Sequence, residues 1–303
     1  MRQGSSDAKL TTQTGAAQDG VAPCCRMCGH SELVAKFDVN HYQICECAQC
    51  GLVQLGALLA DADYEAIYDD GYFDRGKHVE SRAETLEQAR RVGLLDRAGV
   101  PDGALVLDAG CATGDFVRAA KTRFNVWGVD LSEFAVSEAR RANPEVADQL
   151  FSGSLEALAG LPEVFDAIVL WDVVEHLRYP RAVIASLVER LKPGGVLVLS
   201  TPYMDAPIAK LMGRKWAFMT PPEHVCLFGR RHLTTLLTDQ GLSAEHWQAR
   251  GKWVNVGFLT HKLRRQFPSL VPAWLEARMR NVAAMVYVPT GDIQYLTGRL
   301  GTG

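Results

Sequence analysis

Short apolar runs alternate along most of the chain with segments in which apolar residues recur at helical spacing. The first pattern predicts buried strands and the second predicts amphipathic helices. The predicted strands cover residues 104–107, 126–129, 165–170 and 196–199, and the predicted helices cover residues 80–98, 115–121, 132–142, 181–191 and 231–239. Ser132 is expected to cap the third of these helices, and the Lys-Pro-Gly-Gly run at 192–195 to end the fourth. Further strand-like stretches lie near Val286 and Tyr295.

This alternation predicts an α/β fold, with a mostly parallel sheet that carries helices on both faces in a doubly wound arrangement. Sheets of this kind bind ligands in the crevice at the carboxyl ends of their strands. The residues that directly follow the predicted strands are therefore the first candidates for a functional site.

Cysteine spacing predicts a separate metal site near the start of the chain. Six of the eight cysteines fall between residues 24 and 50, and two C-x-x-C pairs are separated by 18 residues, a spacing typical of four-thiolate zinc sites. The candidate ligands are Cys25, Cys28, Cys47 and Cys50. Gly29 and Gly51 follow the two pairs, where a tight turn needs a permissive backbone. Disulfides and a redox pair are the alternatives, and Cys24 is an alternative ligand to Cys25.

Length and composition favour one large α/β domain with a small appendage, because the chain has 303 residues of which 48% are hydrophobic. The predicted organisation is a disordered tail at 1–22, a zinc ribbon at 23–58, a helical linker or cap over the active site at 59–98, and the main domain at 99–303. No 18-residue apolar run and no secretory signal is present, so we expect a cytoplasmic protein. The net charge of −3 argues against a nucleic-acid binder.

The first strand of the main domain leads into a glycine-containing loop. Asp108 closes the strand, Gly110 and Gly114 shape the loop, and Asp130 ends the second strand 22 residues after Asp108. A dinucleotide fingerprint would have glycine in place of Ala112, and the carboxylate of Asp108 would repel a pyrophosphate. A cationic ligand, such as a sulfonium with an α-amino group, would instead be attracted. Asp130 is placed to accept hydrogen bonds from ribose hydroxyls.

These motifs together resemble those of the class I S-adenosylmethionine-dependent methyltransferases. The segments that carry the resemblance are Asp108-x-Gly110-x-x-x-Gly114, Gly128-Val129-Asp130-Leu131-Ser132, Phe165-Asp166, Trp171-Asp172-Val173-Val174-Glu175-His176-Leu177 and Leu191-Lys192-Pro193-Gly194-Gly195. The resemblance covers about residues 80–250. It implies a Rossmann-like sheet of seven strands whose last strand is antiparallel, which residues 293–296 could supply.

The same resemblance implies the residues that bind the cofactor, S-adenosylmethionine. Gly110 and Gly114 would let the backbone approach the methionine moiety, and Asp130 would hold the ribose. Many members have an aspartate near the end of the third strand that holds the adenine amine, and here Ser154 is expected to replace it through its hydroxyl or a backbone group. The expected cofactor-binding set is Asp108, Gly110, Gly114, Asp130, Leu131, Ser154, Leu155 and Trp171.

Two groups of residues compete for the acceptor chemistry. The first is Glu223-His224-x-x-x-Phe228, which resembles a segment of zinc-ribbon sugar methyltransferases that act on sugars and natural products. In that family the histidine serves as the base, so the resemblance implies His224 and Glu223 as catalytic residues. A histidine that only holds a loop by hydrogen bonds is the structural alternative.

The second group is Asp172, Glu175 and His176. If the chain is helical there, their spacing places all three side chains on one face. With His224 they resemble the Mg²⁺-binding set of small-RNA 2′-O-methyltransferases, and without it the metal set of ubiquinone-pathway O-methyltransferases. Family members without a metal use the same Glu-His-Leu sequence for packing. Packing is therefore the expected role of these residues, and a magnesium site is the alternative.

The expected function is S-adenosylmethionine-dependent methylation of a small or carrier-bound acceptor, at a hydroxyl of a sugar or natural-product intermediate, with His224 as the general base. The alternatives are an RNA methyltransferase and a non-catalytic module that keeps the cofactor-binding fold to dock a partner. The acceptor, the methylated atom and the oligomeric state do not follow from the sequence.

Overall fold

A computed structural model describes residues 24–57, 59, 82–155, 160–266, 269, 271–280, 282 and 284–302. The predicted tail and residues 60–81 of the predicted linker lie outside the described residues. The strands are β1 (Leu33–Val39), β2 (Tyr42–Cys47), β3 (Val53–Leu55), β4 (Leu105–Ala109), β5 (Asn125–Asp130), β6 (Leu150–Ser152), β7 (Phe165–Trp171), β8 (Leu191–Pro202), β9 (Cys226–Leu227), β10 (Leu242–Asn255) and β11 (Met285–Leu300). The helices are α1 (Arg82–Arg97), α2 (Asp115–Ala120), α3 (Glu133–Ala142), α4 (Pro180–Val188), α5 (Pro207–Met212), α6 (Arg230–Thr238), α7 (Val256–Gln266) and α8 (Ala273–Met279).

Seven strands form the main sheet in the order β10-β11-β8-β7-β4-β5-β6. β11 lies antiparallel between β10 and β8, while β4, β5, β6, β7 and β8 pair in parallel. The predicted seven-stranded α/β sheet with one antiparallel strand is confirmed. Strand order reverses between β4 and β7, because β5 and β6 extend the sheet on one side and β8 and β11 on the other. In sheets of this topology ligands bind at the carboxyl ends of the strands beside such a reversal, here β4 and β7.

Apolar side chains of the central strands are buried on both faces of the sheet. In β7, Ile168 and Leu170 join one apolar cluster, and Ala167 and Val169 join a second one. Successive side chains of a strand point to opposite faces, so helices must cover both sides. The predicted cap of α3 is also present, since the Ser132 hydroxyl accepts a hydrogen bond from the Ala135 N–H at 3.2 Å.

Two boundaries differ from the prediction because strand pairing continues through glycines. Helix α4 ends at Val188, and the Lys-Pro-Gly-Gly run lies inside β8. Leu191 pairs with Phe165 and Val196 pairs with Ala167, so the run forms a bulge that the sheet accommodates. The stretches near Val286 and Tyr295 are parts of one strand, β11.

Strand β10 was not predicted, because its sequence has many polar residues and no clear apolar run. It lies at the edge of the sheet, and most of its residues from Ser243 to Arg250 are exposed or half-buried. An edge strand needs few apolar side chains, and it therefore leaves a weak sequence pattern.

The N-terminal unit is a second, smaller antiparallel sheet of order β1-β2-β3-β9. Its fourth strand, β9, comes from the main domain. Buried residues of the unit, such as Ile44 and Leu52, belong to the same apolar cluster as Leu170 and Leu227 of the main domain. The cysteine-containing unit is therefore packed into the main domain. The proposed domain boundaries stay predictions.

No helix within the described part of the chain is long and apolar enough to cross a membrane.

Candidate active site and cysteine cluster

Four cysteine sulfurs converge at one end of the small sheet. The Sγ atoms of Cys25 and Cys50 are 3.4 Å apart, and those of Cys28 and Cys47 are 3.6 Å apart. The four sulfurs all lie within 4.8 Å of one another. Tetrahedral Zn²⁺ with Zn–S bonds of about 2.3 Å places its sulfur ligands ~3.8 Å apart, whereas a disulfide bond is about 2.0 Å long. The spacing of the thiols therefore fits zinc.

Both cysteine pairs adopt the same turn. The N–H groups of Gly29 and Gly51 donate to the carbonyls of Cys25 and Cys47, each at 2.9 Å. Both glycines have positive φ angles, 74° and 78°, which are unfavourable for residues that carry a Cβ atom. Cys24 is exposed and lies outside the group of four, so Cys25 is the member of the group and not Cys24.

Asp108 is the next-to-last residue of β4, at the carboxyl edge of the main sheet, and its side chain is buried. Burial raises the pKa of the Asp108 carboxyl to about 7, although the nearby Arg91 guanidinium acts in the opposite direction. Its Oδ1 atom has no hydrogen-bond partner among the residues that the structure describes. A buried carboxylate oxygen without a hydrogen-bond partner destabilises the folded protein unless a ligand supplies a donor. Asp108 therefore fits the expected cationic part of the cofactor.

The loop after β4 is shaped by close contacts. Gly110 has a φ of 89°, and a Cβ atom there would lie 2.4 Å from Cγ2 of Val173. Gly114 has a φ of 80°, and a Cβ there would lie 2.7 Å from Nδ2 of Asn143. Ala112 also has a positive φ, 45°, and its N–H donates to Oδ2 of Asp130 at 2.9 Å. Only glycine fits at 110 and 114 without displacing a neighbour.

Asp130 ends β5, and two backbone groups orient its carboxylate. Oδ2 accepts from the N–H of Ala112, and Oδ1 accepts from the N–H of Ser132 at 3.0 Å. Each oxygen keeps a further lone pair, which is what a pair of ribose hydroxyls would need. The neighbouring Leu131 is 45% exposed, which leaves an apolar surface beside the carboxylate.

Ser154 and Leu155 lie just beyond β6, next to Asp130. The N–H of Gly153 donates to the Asp130 carbonyl at 2.9 Å, which fixes the start of this turn. Ser154 is half-buried, and Leu155 packs against the apolar core. The two residues thus follow β6 at the carboxyl edge of the sheet, and their contact with adenine stays a prediction.

Trp171 ends β7 with a buried side chain. Its ring lies 5.4 Å from the ring of Phe116, and the Arg91 guanidinium lies 5.3 Å from its centroid on another side. Its indole Nε1–H has no hydrogen-bond partner among the residues that the structure describes. Arg91 also donates to Asp172 Oδ2 at 2.5 Å. Arg91 was not among the predicted site residues, because nothing distinguishes it from the other charged residues of its helix.

The segment from Asp172 to His176 is a turn and not the helix on which the shared-face argument depended. Asp172 has a φ of 57°, and its N–H donates to the carbonyl of Ser200 at 3.0 Å. Its Oδ1 atom accepts from the Ser200 hydroxyl at 2.8 Å. Among the described residues, the group that could hold a metal ion consists of Glu175, His176 and His224, and it does not include Asp172. Ligand atoms of these three residues lie within 4.8 Å of one another.

Glu175 is buried, and its carboxylate is already engaged. Its Oε2 atom accepts from the hydroxyl of Thr201 at 2.8 Å. Burial first, and the negative charge of Asp172 second, raise the pKa of Glu175 well above the usual range of a carboxyl group. Both effects favour the protonated, neutral form of this side chain.

Two histidines meet beside Glu175, and the same tautomer is set in each. Nδ1 of His224 donates to the carbonyl of Phe218 at 2.7 Å, and Nδ1 of His176 donates to the carbonyl of Glu223 at 2.9 Å. Because carbonyls only accept, each neutral ring carries its proton on Nδ1 and its lone pair on Nε2. The ring centroids are 4.7 Å apart in an edge-to-face arrangement. Glu223 contributes its backbone carbonyl to this contact.

The segment that carries His224 is held from two sides. On one side, the N–H groups of Val225 and Cys226 both donate to the carbonyl of Glu175, at 2.9 and 3.0 Å. On the other side, β9 pairs with β3 of the cysteine-containing unit. His232 also bridges the units, because its Nε2 donates to the Cys50 carbonyl at 2.9 Å. The pairing was not predicted, since a strand of two residues leaves no periodic pattern. His232 was not predicted because its partner, Cys50, lies 182 positions away in the sequence.

A family model described as a methyltransferase domain matches residues 82–246, more than half of the chain. The ubiquinone biosynthesis O-methyltransferase of Schizosaccharomyces pombe, a mitochondrial protein, is 33% identical over 130 residues, which cover 41% of this chain and 44% of that protein. The enzyme of the same name from Dechloromonas aromatica is 35% identical over 115 residues, 37% of this chain and 50% of that protein.

A third relative is dTDP-3-amino-3,4,6-trideoxy-alpha-D-glucopyranose N,N-dimethyltransferase from Streptomyces venezuelae. It is 29% identical over 144 residues, 46% of this chain and 57% of that protein. The chain thus spans about half the length of the curated relatives it matches.

Solved structures share the fold at low sequence identity. The YcgJ protein from Bacillus subtilis has a TM-score of 0.52 at 16% identity, over 71% of this chain and 100% of that chain. A protein described as a methyltransferase from Haloferax volcanii was solved with the Trm112 methyltransferase activator. It has a TM-score of 0.55 at 17% identity, over 80% of this chain and 100% of that chain. The chain belongs to the methyltransferase domain family, and its resemblance to the class I S-adenosylmethionine-dependent methyltransferases is confirmed.

Proposed function

We propose that this enzyme methylates a hydroxyl group of a small or carrier-bound acceptor, such as a sugar or natural-product intermediate, and that His224 is the general base. The observation that carries the proposal is the hydrogen bond from Nδ1 of His224 to the Phe218 carbonyl at 2.7 Å. It leaves Nε2 as the basic atom of the ring. Relatives named as O-methyltransferases support a hydroxyl acceptor, and the named sugar N,N-dimethyltransferase supports a sugar-like one.

Bound S-adenosylmethionine supplies a methyl group on a positively charged sulfur. Asp108 would attract the positive charge of the methionine part, and Gly110 would let the loop backbone approach it closely. Asp130 would accept hydrogen bonds from the ribose, with Leu131 and Ser154 beside the adenine. These roles rest on the orphaned Oδ1 of Asp108 and on the oriented carboxylate of Asp130.

A hydroxyl becomes a strong nucleophile only as it loses its proton. Nε2 of His224 would take that proton while the hydroxyl oxygen attacks the methyl carbon, and the bond from that carbon to sulfur would break to leave the neutral thioether S-adenosylhomocysteine. The Phe218 carbonyl keeps the Nδ1–H tautomer, and the ring of His176 packs against His224 and restricts its orientation. The remaining contribution of the protein is to align the two reactants.

We also propose that Cys25, Cys28, Cys47 and Cys50 hold one structural zinc ion. Four thiolates fill a tetrahedral coordination sphere and leave no open position for a substrate. The ion would therefore take no direct part in methyl transfer.

A metal-assisted version of the same reaction is the second candidate, because Glu175, His176 and His224 gather their ligand atoms within 4.8 Å. Magnesium prefers ionised carboxylates and other oxygen ligands. The raised pKa of the Glu175 carboxyl and its hydrogen bond from Thr201 favour the metal-free version.

The test begins with methyl transfer from isotopically labelled S-adenosylmethionine to a panel of acceptors. The panel contains polyphenols, nucleotide-linked sugars, aminosugars and RNA transcripts, and NMR of the product identifies the methylated atom. Methylated oxygen on a small acceptor supports the proposal, whereas methylated RNA or exclusive N-methylation contradicts it.

With the acceptor found, His224→Asn should lower turnover by roughly 10²–10⁴-fold and leave cofactor affinity unchanged, since that is the usual contribution of a general base. A mild chelator treatment that removes Mg²⁺ and leaves the thiolate-bound zinc in place, as checked by elemental analysis, should not affect turnover of the wild type. Loss of activity with chelator, recovery with Mg²⁺ and an equal loss in Glu175→Gln would instead establish the metal-assisted version. Full activity in His224→Asn would mean that the histidine only holds the loop by hydrogen bonds and is not the base.

A further inference from the structure

The segment from Pro221 to Gly229, here called the base loop, contains His224 and little secondary structure of its own. Its strand β9 has two residues, and within the described chain its strand partner is β3. Gln54 pairs with Cys226 and Val53 pairs with Leu227. The N–H of Leu55 also donates to the Val225 carbonyl at 2.9 Å. The cysteine-containing unit thus supplies backbone hydrogen bonds that begin one residue after His224.

Both cysteine turns are connected to this pairing. On the side of the first turn, Gln54 Nε2 donates to the Cys24 carbonyl at 3.1 Å, and the N–H of Arg26 donates to Gln54 Oε1 at 2.9 Å. On the side of the second turn, the Cys50 carbonyl accepts from Nε2 of His232 at 2.9 Å. Nδ1 of His232 accepts from the N–H of Gly229, the last residue of the base loop, at 3.0 Å.

The opposite side of the base loop contacts the turn after β7. Val225 and Cys226 donate to the Glu175 carbonyl, and the Glu223 carbonyl accepts from His176. The base loop therefore lies between the turn after β7 and the cysteine-containing unit. The end of the base loop is also held by the main sheet, since the Phe228 carbonyl accepts from the Met204 N–H and from Gln294 Nε2. If the cysteine turns lost their shape, the support on the side of β3 would be lost while the cofactor loop after β4 stayed intact.

We propose that the cysteine-containing unit is a positioning element for His224, so that the metal held by its four thiolates controls the alignment of the base and not the binding of the cofactor. This inference rests on the proposed roles of His224 and of the four cysteines. His232 is a positioning residue in the same sense, since it acts on His224 through the Cys50 carbonyl and Gly229.

The experiment follows His224 itself, because a shared apolar core means that a cysteine variant could unfold the whole protein. The holoprotein is labelled with ¹³C at histidine Cε1, and the resonance of His224 is identified by its loss in His224→Asn. Zinc is then removed with a chelator and added back. The same spectra are recorded for His232→Ala, for His232→Gln, which keeps a donor for the Cys50 carbonyl, and for Lys36→Ala as the matched control.

Lys36 suits the control because it lies in β1, at the far edge of the small sheet, where it pairs with Glu46. Removing zinc, or replacing His232 with alanine, should shift and broaden the His224 resonance, and adding zinc back should restore it. His232→Gln should recover most of the wild-type spectrum, and Lys36→Ala should match it. Affinity for S-adenosylhomocysteine, measured by calorimetry, should stay unchanged in all of these samples.

Turnover with the acceptor from the screen should fall about 10- to 100-fold in His232→Ala with little change in KM, the cost of a reacting group misplaced by about 1 Å. An unchanged His224 resonance and unchanged turnover in zinc-free or His232→Ala protein that is still folded would overturn the inference. Full activity of His224→Asn would overturn the proposed function instead, so the two failures are distinguishable.

Discussion

Replacing Asp108 with asparagine should stabilise the cofactor-free protein at alkaline pH while weakening cofactor binding. Burial raises the pKa of the Asp108 carboxyl from 3.8 to about 7, and a tenfold change in proton affinity between the folded and unfolded states is worth ~1.4 kcal/mol. The ionised carboxylate therefore destabilises the folded state by roughly 4 kcal/mol once the pH is above 7. Asparagine has a similar shape and no charge, so Asp108→Asn removes this penalty.

The sign follows from proton binding. At pH values between the two pKa values, the folded protein keeps a proton that the unfolded chain has released, so the free energy of unfolding decreases as pH rises. The stability difference between Asp108→Asn and the wild type should accordingly move in favour of the variant by roughly 2–3 kcal/mol from about pH 5 to about pH 8. Urea unfolding followed by tryptophan fluorescence, without cofactor, measures this difference.

Asp166→Asn is the matched control with the opposite sign. Although burial opposes it, hydrogen bonds from Lys192 and from the Leu105 N–H lower the pKa of the Asp166 carboxyl. The ionised form of Asp166 therefore stabilises the folded state at pH values above the unfolded pKa. Relative to the wild type, Asp166→Asn should become less stable as the pH rises from acid to neutral. The reasoning about Asp108 is refuted if the stability difference of Asp108→Asn is the same at both pH values or moves against the variant as the pH rises.

Three further outcomes are expected. Asp130→Ala should weaken S-adenosylmethionine binding by roughly 1.5–3 kcal/mol, the scale of hydrogen bonds to a charged group, as measured by calorimetry; unchanged affinity would mean that Asp130 does not hold the ribose. Cys47→Ser should lose the bound zinc in elemental analysis, whereas Cys45→Ser, whose sulfur lies outside the group of four, should keep it. Gly110→Ala should destabilise the protein by at least roughly 1–3 kcal/mol in thermal unfolding, because its Cβ would overlap Val173. Gly93→Ala, a change inside α1 with open space around it, should instead stabilise by roughly 0.5–1 kcal/mol.

Elements with a strong local pattern could be predicted from the sequence. The buried parallel strands are continuous apolar runs, and each is followed by a residue whose position at the carboxyl edge is fixed by the topology. Asp108 and Asp130 lie at this edge for that reason. The two C-x-x-C pairs likewise bring their sulfurs together because each turn is local and ends in a glycine.

Features that depend on contacts distant in sequence could not be predicted. The pairing of β9 with β3 joins residues more than 170 positions apart, and two residues are too few to show a strand pattern. The spacing of Asp172, Glu175 and His176 suggested a common helical face, but the positive φ of Asp172 replaces the helix with a turn. Arg91 becomes a site residue only because the fold brings its side chain to Trp171 and Asp172 at the end of β7.

The central claim is that the carboxyl edge of the sheet, with Asp108 of β4 and Asp130 of β5, holds S-adenosylmethionine with its methyl group directed at an acceptor beside His224. A crystal structure with S-adenosylhomocysteine and the acceptor found by screening tests it most directly. We predict the ribose on Asp130, and the acceptor oxygen about 3 Å from both Nε2 of His224 and the position of the transferred methyl carbon. A cofactor bound elsewhere, or an acceptor oxygen placed on the methyl group but out of reach of His224, would contradict the account.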